Sequence, residues 1–162
     1  MKKAVETAIK METDAIAFYK EAAKNTKHVF GREMFKGFVK DETRHLKMLK
    51  NIFNGLGIEA DFHRPKEAVQ TVFSKLKNKM MRRVKALDNE MEVIKIALNF
   101  EKAGYDFYKK AAAKATSKDE KELFERLVVE ENDHYTILNE TYNFMDNTGQ
   151  WYMYEERGIL EG

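Results

Sequence analysis

The stretch Asp41-Glu42-Thr43-Arg44-His45-Leu46 decides how this chain is read. On a helix, residues three apart project from one face, so Glu42 and His45 can reach a single metal ion from adjacent positions. One Glu-x-x-His is a weak signal, because any Glu-rich helix produces such spacings by accident. The chain supplies a second, Glu131-Asn132-Asp133-His134, at an offset of 89 residues, and the same offset carries Glu12 onto Glu101. Six potential ligands fall into two equal sets. The shift also superposes Ala8, Phe18, Tyr19, Lys20, Ala22 and Ala23, and then Glu33, Phe35, Val39 and Leu49, on identical residues. Each half reads as one helical hairpin.

Around this repeat, composition points the same way. The 162 residues fit one domain able to bury a sizeable core without metal or disulfide staples. Pro occurs once and Gly eight times among plentiful Lys, Glu, Ala, Leu and Met, which favours an all-α fold. Lys and Arg (29) nearly balance Asp and Glu (27), so no overall field recruits nucleic acid or a membrane surface, and neither is expected as a partner. The absence of cysteine excludes disulfides, thiolate metal sites and thiol catalysis. No apolar run has the length of a signal peptide or membrane span, and a cytoplasmic location is expected.

The periodicity predicts four helices. A seam of Val5, Ala8, Glu12, Ala15, Tyr19 and Ala22 marks the first, over about 2–25, and Phe35, Phe38, Glu42, His45, Leu49 and Ile52 mark the second, over about 29–54. Gly55-Leu56-Gly57 stops it. A crossover over 55–88 contains Pro65 and an amphipathic run from Val69 to Leu87. The third helix, about 90–115, follows a cap at Asp88 or Asn89 and carries Ile94, Ala97, Glu101, Gly104, Tyr108 and Ala111 on its seam. Ser117 with Glu120 forms a capping box for the fourth, about 118–145, with Phe124, Leu127, Glu131, His134 and Leu138 inward. Hairpin 1 spans about 2–54 and hairpin 2 about 89–145, and residues 146–162, with Trp151, Tyr152 and Tyr154, are expected as an irregular tail.

Glu12 and Glu42 each lie about 15 residues from a turn near Lys27, roughly 22 Å along the helix, and Glu101 and Glu131 stand likewise about the turn near Thr116. Packing the hairpins face to face brings four carboxylates and two imidazoles into one layer. Such a layer costs several kcal/mol per uncompensated charge, on the order of what only nearby cations can offset. Two divalent ions match four carboxylates, each His serving one ion and Glu side chains bridging them, as in di-iron and di-manganese bundles. Oxygen-rich ligands with one imidazole per ion suit Fe first and Mn second.

Met11-Glu12 followed by Phe18-Tyr19-Lys20, together with Asp41-Glu42-Thr43-Arg44-His45-Leu46, resembles the helix motifs of the rubrerythrin branch of the ferritin-like superfamily, over about residues 4–145. The resemblance implies a ferritin-like four-helix bundle binding two Fe ions through Glu12, Glu42, His45, Glu101, Glu131 and His134, and reducing peroxide there. Two departures stand out. The typical relative carries a cysteine-rich rubredoxin domain that is missing here, so an external electron-transfer protein is expected as donor. It also has a further Glu where this chain has Gly104.

The remaining candidates are weighed against plainer roles. Tyr19 and Tyr108 either hydrogen-bond ligating carboxylates or pack with a wet tip. Asp41 and Glu130 could orient an imidazole across the bundle, but solvated surface charge is the favoured reading. His28 and His63 are assigned no chemistry. Ala15 and Gly104 leave space for dioxygen or peroxide, or serve close helix packing. The basic run Lys75–Lys85 reads first as a solvated face and second as a docking site for an acidic electron-transfer protein, a membrane surface or nucleic acid. Phe30, Phe62, Phe73 and the tail aromatics exceed what one bundle needs to bury, so a homodimer is expected. The functional expectation is a di-iron oxidoreductase acting on peroxide, or less readily dioxygen. The alternatives are an iron-storage protein with a ferroxidase-type site and a bundle whose metals only neutralise buried carboxylates.

Overall fold

The computed structural model describes residues 2–57 and 88–149, which form four helices: α1 (Lys2–Asn25), α2 (Val29–Phe53), α3 (Asp88–Lys114) and α4 (Lys118–Thr148). Three-residue turns force α1 against α2 and α3 against α4 as antiparallel hairpins. Between hairpins, α2 packs on α4 and α1 on α3. The result is a ferritin-like four-helix bundle.

Local chemistry fixes the hairpin ends. At the first turn the His28 side chain caps α2, its Nδ1 accepting the Phe30 N–H at 3.2 Å. The Lys27 N–H donates to Glu90 Oε2 of α3 at 3.3 Å, tying that turn to the other hairpin. The α2 C-terminus closes with two bonds, Gly55 N–H to the Ile52 carbonyl at 3.0 Å and Leu56 N–H to the Asn51 carbonyl at 2.8 Å. That is a Schellman closure, and it needs the positive φ of 73° that Gly55 adopts. At the second turn Ser117 Oγ accepts the Glu120 N–H, and Asp119 and Glu120 complement the positive end of the α4 dipole.

The structure differs from the expected boundaries at two places. Helix α3 begins at Asp88, so Asp88 and Asn89 lie in its first turn instead of capping it. Helix α4 continues to Thr148, into the segment expected as tail, because Met145 is fully buried and anchors another turn, and Gly149 (φ 68°) then ends the helix by donating to the Met145 carbonyl at 2.7 Å. Phe30, counted among surplus apolar groups, is wholly buried in the core and leaves nothing for a second subunit to cover. The crossover with Pro65, His63, Phe62, Phe73 and the basic run Lys75–Lys85 lies outside the described residues, as do Trp151, Tyr152 and Tyr154.

Two apolar clusters fill the bundle. One, near the first turn, gathers Tyr19, Phe35, Phe38, Ile94, Ile137 and Leu138. The other, near the second turn, gathers Val5, Met48, Leu49, Tyr108, Phe124 and Leu127. Between them lies a buried polar layer.

Candidate metal centre

The six residues singled out by their spacing meet in that layer. Glu12, Glu42, His45, Glu101, Glu131 and His134 are each at most 4% exposed, with both histidines at 0%. Each comes from mid-helix, where turns on either side hold it at a fixed height. They form two overlapping sets whose ligand atoms lie within 4.8 Å of one another: Glu12, Glu42, His45 and Glu131, and then Glu42, Glu101, Glu131 and His134. Glu42 and Glu131 belong to both sets. A carboxylate has two oxygens, so these two residues can serve both sets at once, while Glu12 and Glu101 serve one each.

The imidazoles are oriented alike. His45 Nδ1 faces the layer, 3.0 Å from Glu42 Oε2 and 3.2 Å from Glu131 Oε1. His134 Nδ1 faces it too, 3.0 Å from Glu42 Oε1 and 3.5 Å from Glu101 Oε2. The outer nitrogens turn to carboxylates of the opposite hairpin: His45 Nε2 lies 3.0 Å from Glu130 Oε1 and His134 Nε2 lies 2.8 Å from Asp41 Oδ2. Asp41 and Glu130 are therefore buried groups that hold the rings, and the solvated-surface reading of both is corrected. They can reach inward because each precedes its Glu-x-x-His and points from α2 or α4 toward the other helix. Binding the outer N–H fixes the tautomer and leaves Nδ1 with a lone pair for a metal.

The tyrosines cross as well. Tyr19 O–H donates to Glu101 Oε1 and Tyr108 O–H to Glu12 Oε1, so each hairpin steadies the unshared glutamate of the other. Burial and the neighbouring Glu101 and Glu12 charges hold the respective phenols well above their ordinary pKa, keeping both as neutral donors.

Arg44 was not singled out from sequence, although it lies three residues from Asp41 and directly before His45. Its guanidinium clamps Glu130 with both terminal nitrogens, one at 3.1 Å, and passes Asp41 at 3.6 Å. Burial opposes charge on Glu130, but hydrogen bonds from His45 and Arg44 hold its carboxyl down at about 2.

The electrostatics of the layer show what it lacks. Burial, followed by the Glu12 and Glu101 charges, pushes Glu42 up to about 8. Glu101 rises well above the ordinary range through burial and then Glu131, and Glu131 rises through burial and then Glu42. Glu12 goes the other way, since hydrogen bonds to Glu42 and His45 outweigh its burial and bring it to about 2. Both histidines are raised despite burial by the carboxylates they face, Glu42 foremost for His45 and Glu101 for His134. These shifts mark a layer in which four carboxylates are short of positive charge. Glu42 Oε1, Glu101 Oε2 and His134 Nδ1 have no hydrogen-bond partner while facing one another. A cation satisfies three such atoms together, which protons do not, and the oxygen-rich donor set with one imidazole per cluster fits iron or manganese.

Beside the layer is a cavity of about 210 Å³ between α1 and α3, floored by Glu12, Glu42, Glu101 and Glu131 and walled by Met11, Ala15, Phe100, Ala103, Gly104 and Tyr108. A Cβ on Gly104 would sit 3.6 Å from the Glu131 carboxyl carbon, so that position both admits the close carboxylate and keeps the cavity open. No helix among the described residues is long and apolar enough to cross a membrane.

A bundle of two duplicated hairpins enclosing this layer defines the ferritin-like carboxylate proteins. The family model for rubrerythrin matches residues 3–142. The chain belongs to the rubrerythrin family, whose members are di-iron proteins. A solved structure described as hypothetical protein Pfu-1136390-001 from Pyrococcus furiosus has the same fold, with a TM-score of 0.69, 22% identity and 90% of each chain covered. No curated protein matches the sequence.

Proposed function

We propose that the protein is a di-iron oxidoreductase that reduces hydrogen peroxide with electrons from a separate donor protein. The observation that carries this reading is the pair of ligand sets sharing Glu42 and Glu131, open on one side to the cavity beside Ala15 and Gly104. Glu12, Glu42, His45, Glu131 and Glu42, Glu101, Glu131, His134 would hold the two irons. When bound, paired irons supply two electrons together, which cleavage of one O–O bond requires. The overall change is hydrogen peroxide plus two electrons and two protons to two waters.

The chain's own residues do the rest. Asp41 and Glu130 hold the imidazole rings, and Tyr19 and Tyr108 hold the unshared glutamates, so the ligand layer is organised before metal arrives. The cavity is walled mainly by apolar groups, Met11, Ala15, Phe100 and Ala103, with Asp14 also on its lining, and has room for a small oxidant. On the Gly104 side the cavity is bounded by the Glu131 carboxyl group, against which a bound peroxide would lie.

Anaerobic iron loading, followed by separate additions of hydrogen peroxide and dioxygen in a stopped-flow spectrometer, tests this. Peroxide is expected to oxidise the loaded protein faster than dioxygen and to be consumed repeatedly when a reductant is present. A large assembly that accumulates hundreds of irons would favour storage instead, and metals inert to both oxidants would leave a structural role.

A further inference from the structure

The outer face of the first hairpin carries a groove of about 560 Å³ rimmed by Lys20 and Lys24 of α1 and by Arg32, Lys36 and Lys40 of α2. Its floor is Ala23 and Val39. No acidic residue lines it. The nearest acid paired with a rim cation is Glu33, 3.4 Å from Lys36 on the exposed surface. From this groove we infer a docking site for an acidic one-electron carrier protein, a partner that the proposed function requires and on which the inference rests.

The second hairpin provides an internal control. Under the 89-residue repeat Lys20 and Arg32 keep a cation, as Lys109 and Lys121, but Lys24, Lys36 and Lys40 become Ala113, Glu125 and Val129. All three replacements are exposed, so packing does not dictate them. Five positive charges on one hairpin thus face a net of about one on the other, although the ligand layer beneath is duplicated residue for residue. A solvated face kept only for solubility has no reason to concentrate charge on one half.

Position relative to the site favours an electron carrier. Ala23 on the floor packs in the same core cluster as Tyr19 and Phe35. Tyr19 stacks on Phe35 with ring centroids 5.9 Å apart, and its hydroxyl donates to Glu101. A carrier seated in the groove therefore stands over the core cluster that holds Tyr19, whose hydroxyl reaches a ligating carboxylate. Nucleic acid fits less well, since strong phosphate binding draws on an extended field and the chain's net charge is only +2. A membrane fits less well too, because the exposed large apolar residues, Leu56, Ile96, Phe100 and Val129, all lie outside the groove.

The test uses an acidic flavodoxin as probe, titrated calorimetrically into the full-length, iron-loaded protein at low and high salt. Reversing Lys20, Lys24, Lys36 and Lys40 to Glu together is expected to weaken binding by about tenfold or more at low salt and to abolish most of its salt dependence. A control variant with Lys109, Lys110, Lys118 and Lys121 all changed to Glu has the same net charge and is expected to stay within about twofold of the parent. Equal weakening in both variants would reduce the effect to net charge and overturn the site. So would no binding of flavodoxin to the parent, or tighter groove-dependent binding of a duplex oligonucleotide. Peroxide consumption driven by dithionite, which needs no docking, is expected to be unchanged in the groove variant. Its absence in the parent would count against the proposed function alone, since the binding comparison is read without turnover.

Discussion

Hairpins α1–α2 and α3–α4 place the same ligands at the same heights, but they surround them differently. Inside the layer, Glu12 and Glu101, Glu42 and Glu131, and His45 and His134 are exchanged by the 89-residue repeat, as are Tyr19 and Tyr108. One shell outward the symmetry breaks. Arg44 clamps Glu130 behind His45, whereas Asp133 stands at the equivalent place in the other half and is itself buried. At the turns, His28 caps α2 while its counterpart Ser117 caps α4. All six ligand positions are duplicated, whereas the groups behind them and at the turns are only partly so.

The largest effect should come from breaking what the halves share. Glu42→Ala or Glu131→Ala removes a member of both sets and is expected to lose nearly all metal, whereas Glu12→Ala or Glu101→Ala, unshared, is expected to lose about one ion of two by elemental analysis. Equal losses from all four variants would show that sharing is unimportant.

Next comes the asymmetry at Arg44. Arg44→Ala frees Glu130 from its clamp but only removes a 3.6 Å neighbour from Asp41, so the ion on His45 should weaken by about 10-fold to 100-fold and the ion on His134 by less. Stepwise manganese titration followed by electron paramagnetic resonance separates the two. Parallel weakening would mean that the arginine acts on the whole layer.

The tyrosines sharpen the symmetric part. Tyr19→Phe and Tyr108→Phe each strip one buried hydrogen bond from a carboxylate, and each should cost about 1–3 kcal/mol in denaturant unfolding of the metal-free protein, with closely matching values. Unequal costs would show that the crossed pairs are not equivalent.

The smallest effect concerns the caps. His28 accepts a backbone N–H and is held down at about 4 by burial against an ordinary 6.5, so the unfolded chain takes up its proton first as pH falls. Its stabilising contribution is full above 6.5 and is lost as pH drops from there toward 4. His28→Asn, which keeps a cap, should flatten that part of the melting-temperature profile relative to the parent. Ser117→Ala should cost about 1 kcal/mol at every pH in the same range.

The periodic positions and the repeat made the four helices and the six-residue layer legible, because residues that must meet at one height have to be spaced in helical steps from a turn. Asp41 and Glu130 were harder. A carboxylate one residue before a seam position looks solvated by periodicity alone, and only the close approach of α2 to α4 brings it onto the opposite ring. Arg44 is legible only once Glu130 is known to be inward. The end of α4 was misread because Asn-Thr-Gly marks a turn, while a fully buried Met145 just before it carries the helix on to the glycine.

The central claim is that six residues from two hairpins form one site for a coupled pair of ions. Anaerobic titration of Fe(II) into the metal-free protein, followed by Mössbauer spectroscopy after one equivalent of peroxide, measures it directly. The account predicts saturation at about two irons per chain and a magnetically coupled diferric spectrum, both lost when Glu42 and Glu131 are changed together to Ala. Saturation at one iron, uncoupled high-spin ferric ions, or full retention of both irons in the double variant would contradict it.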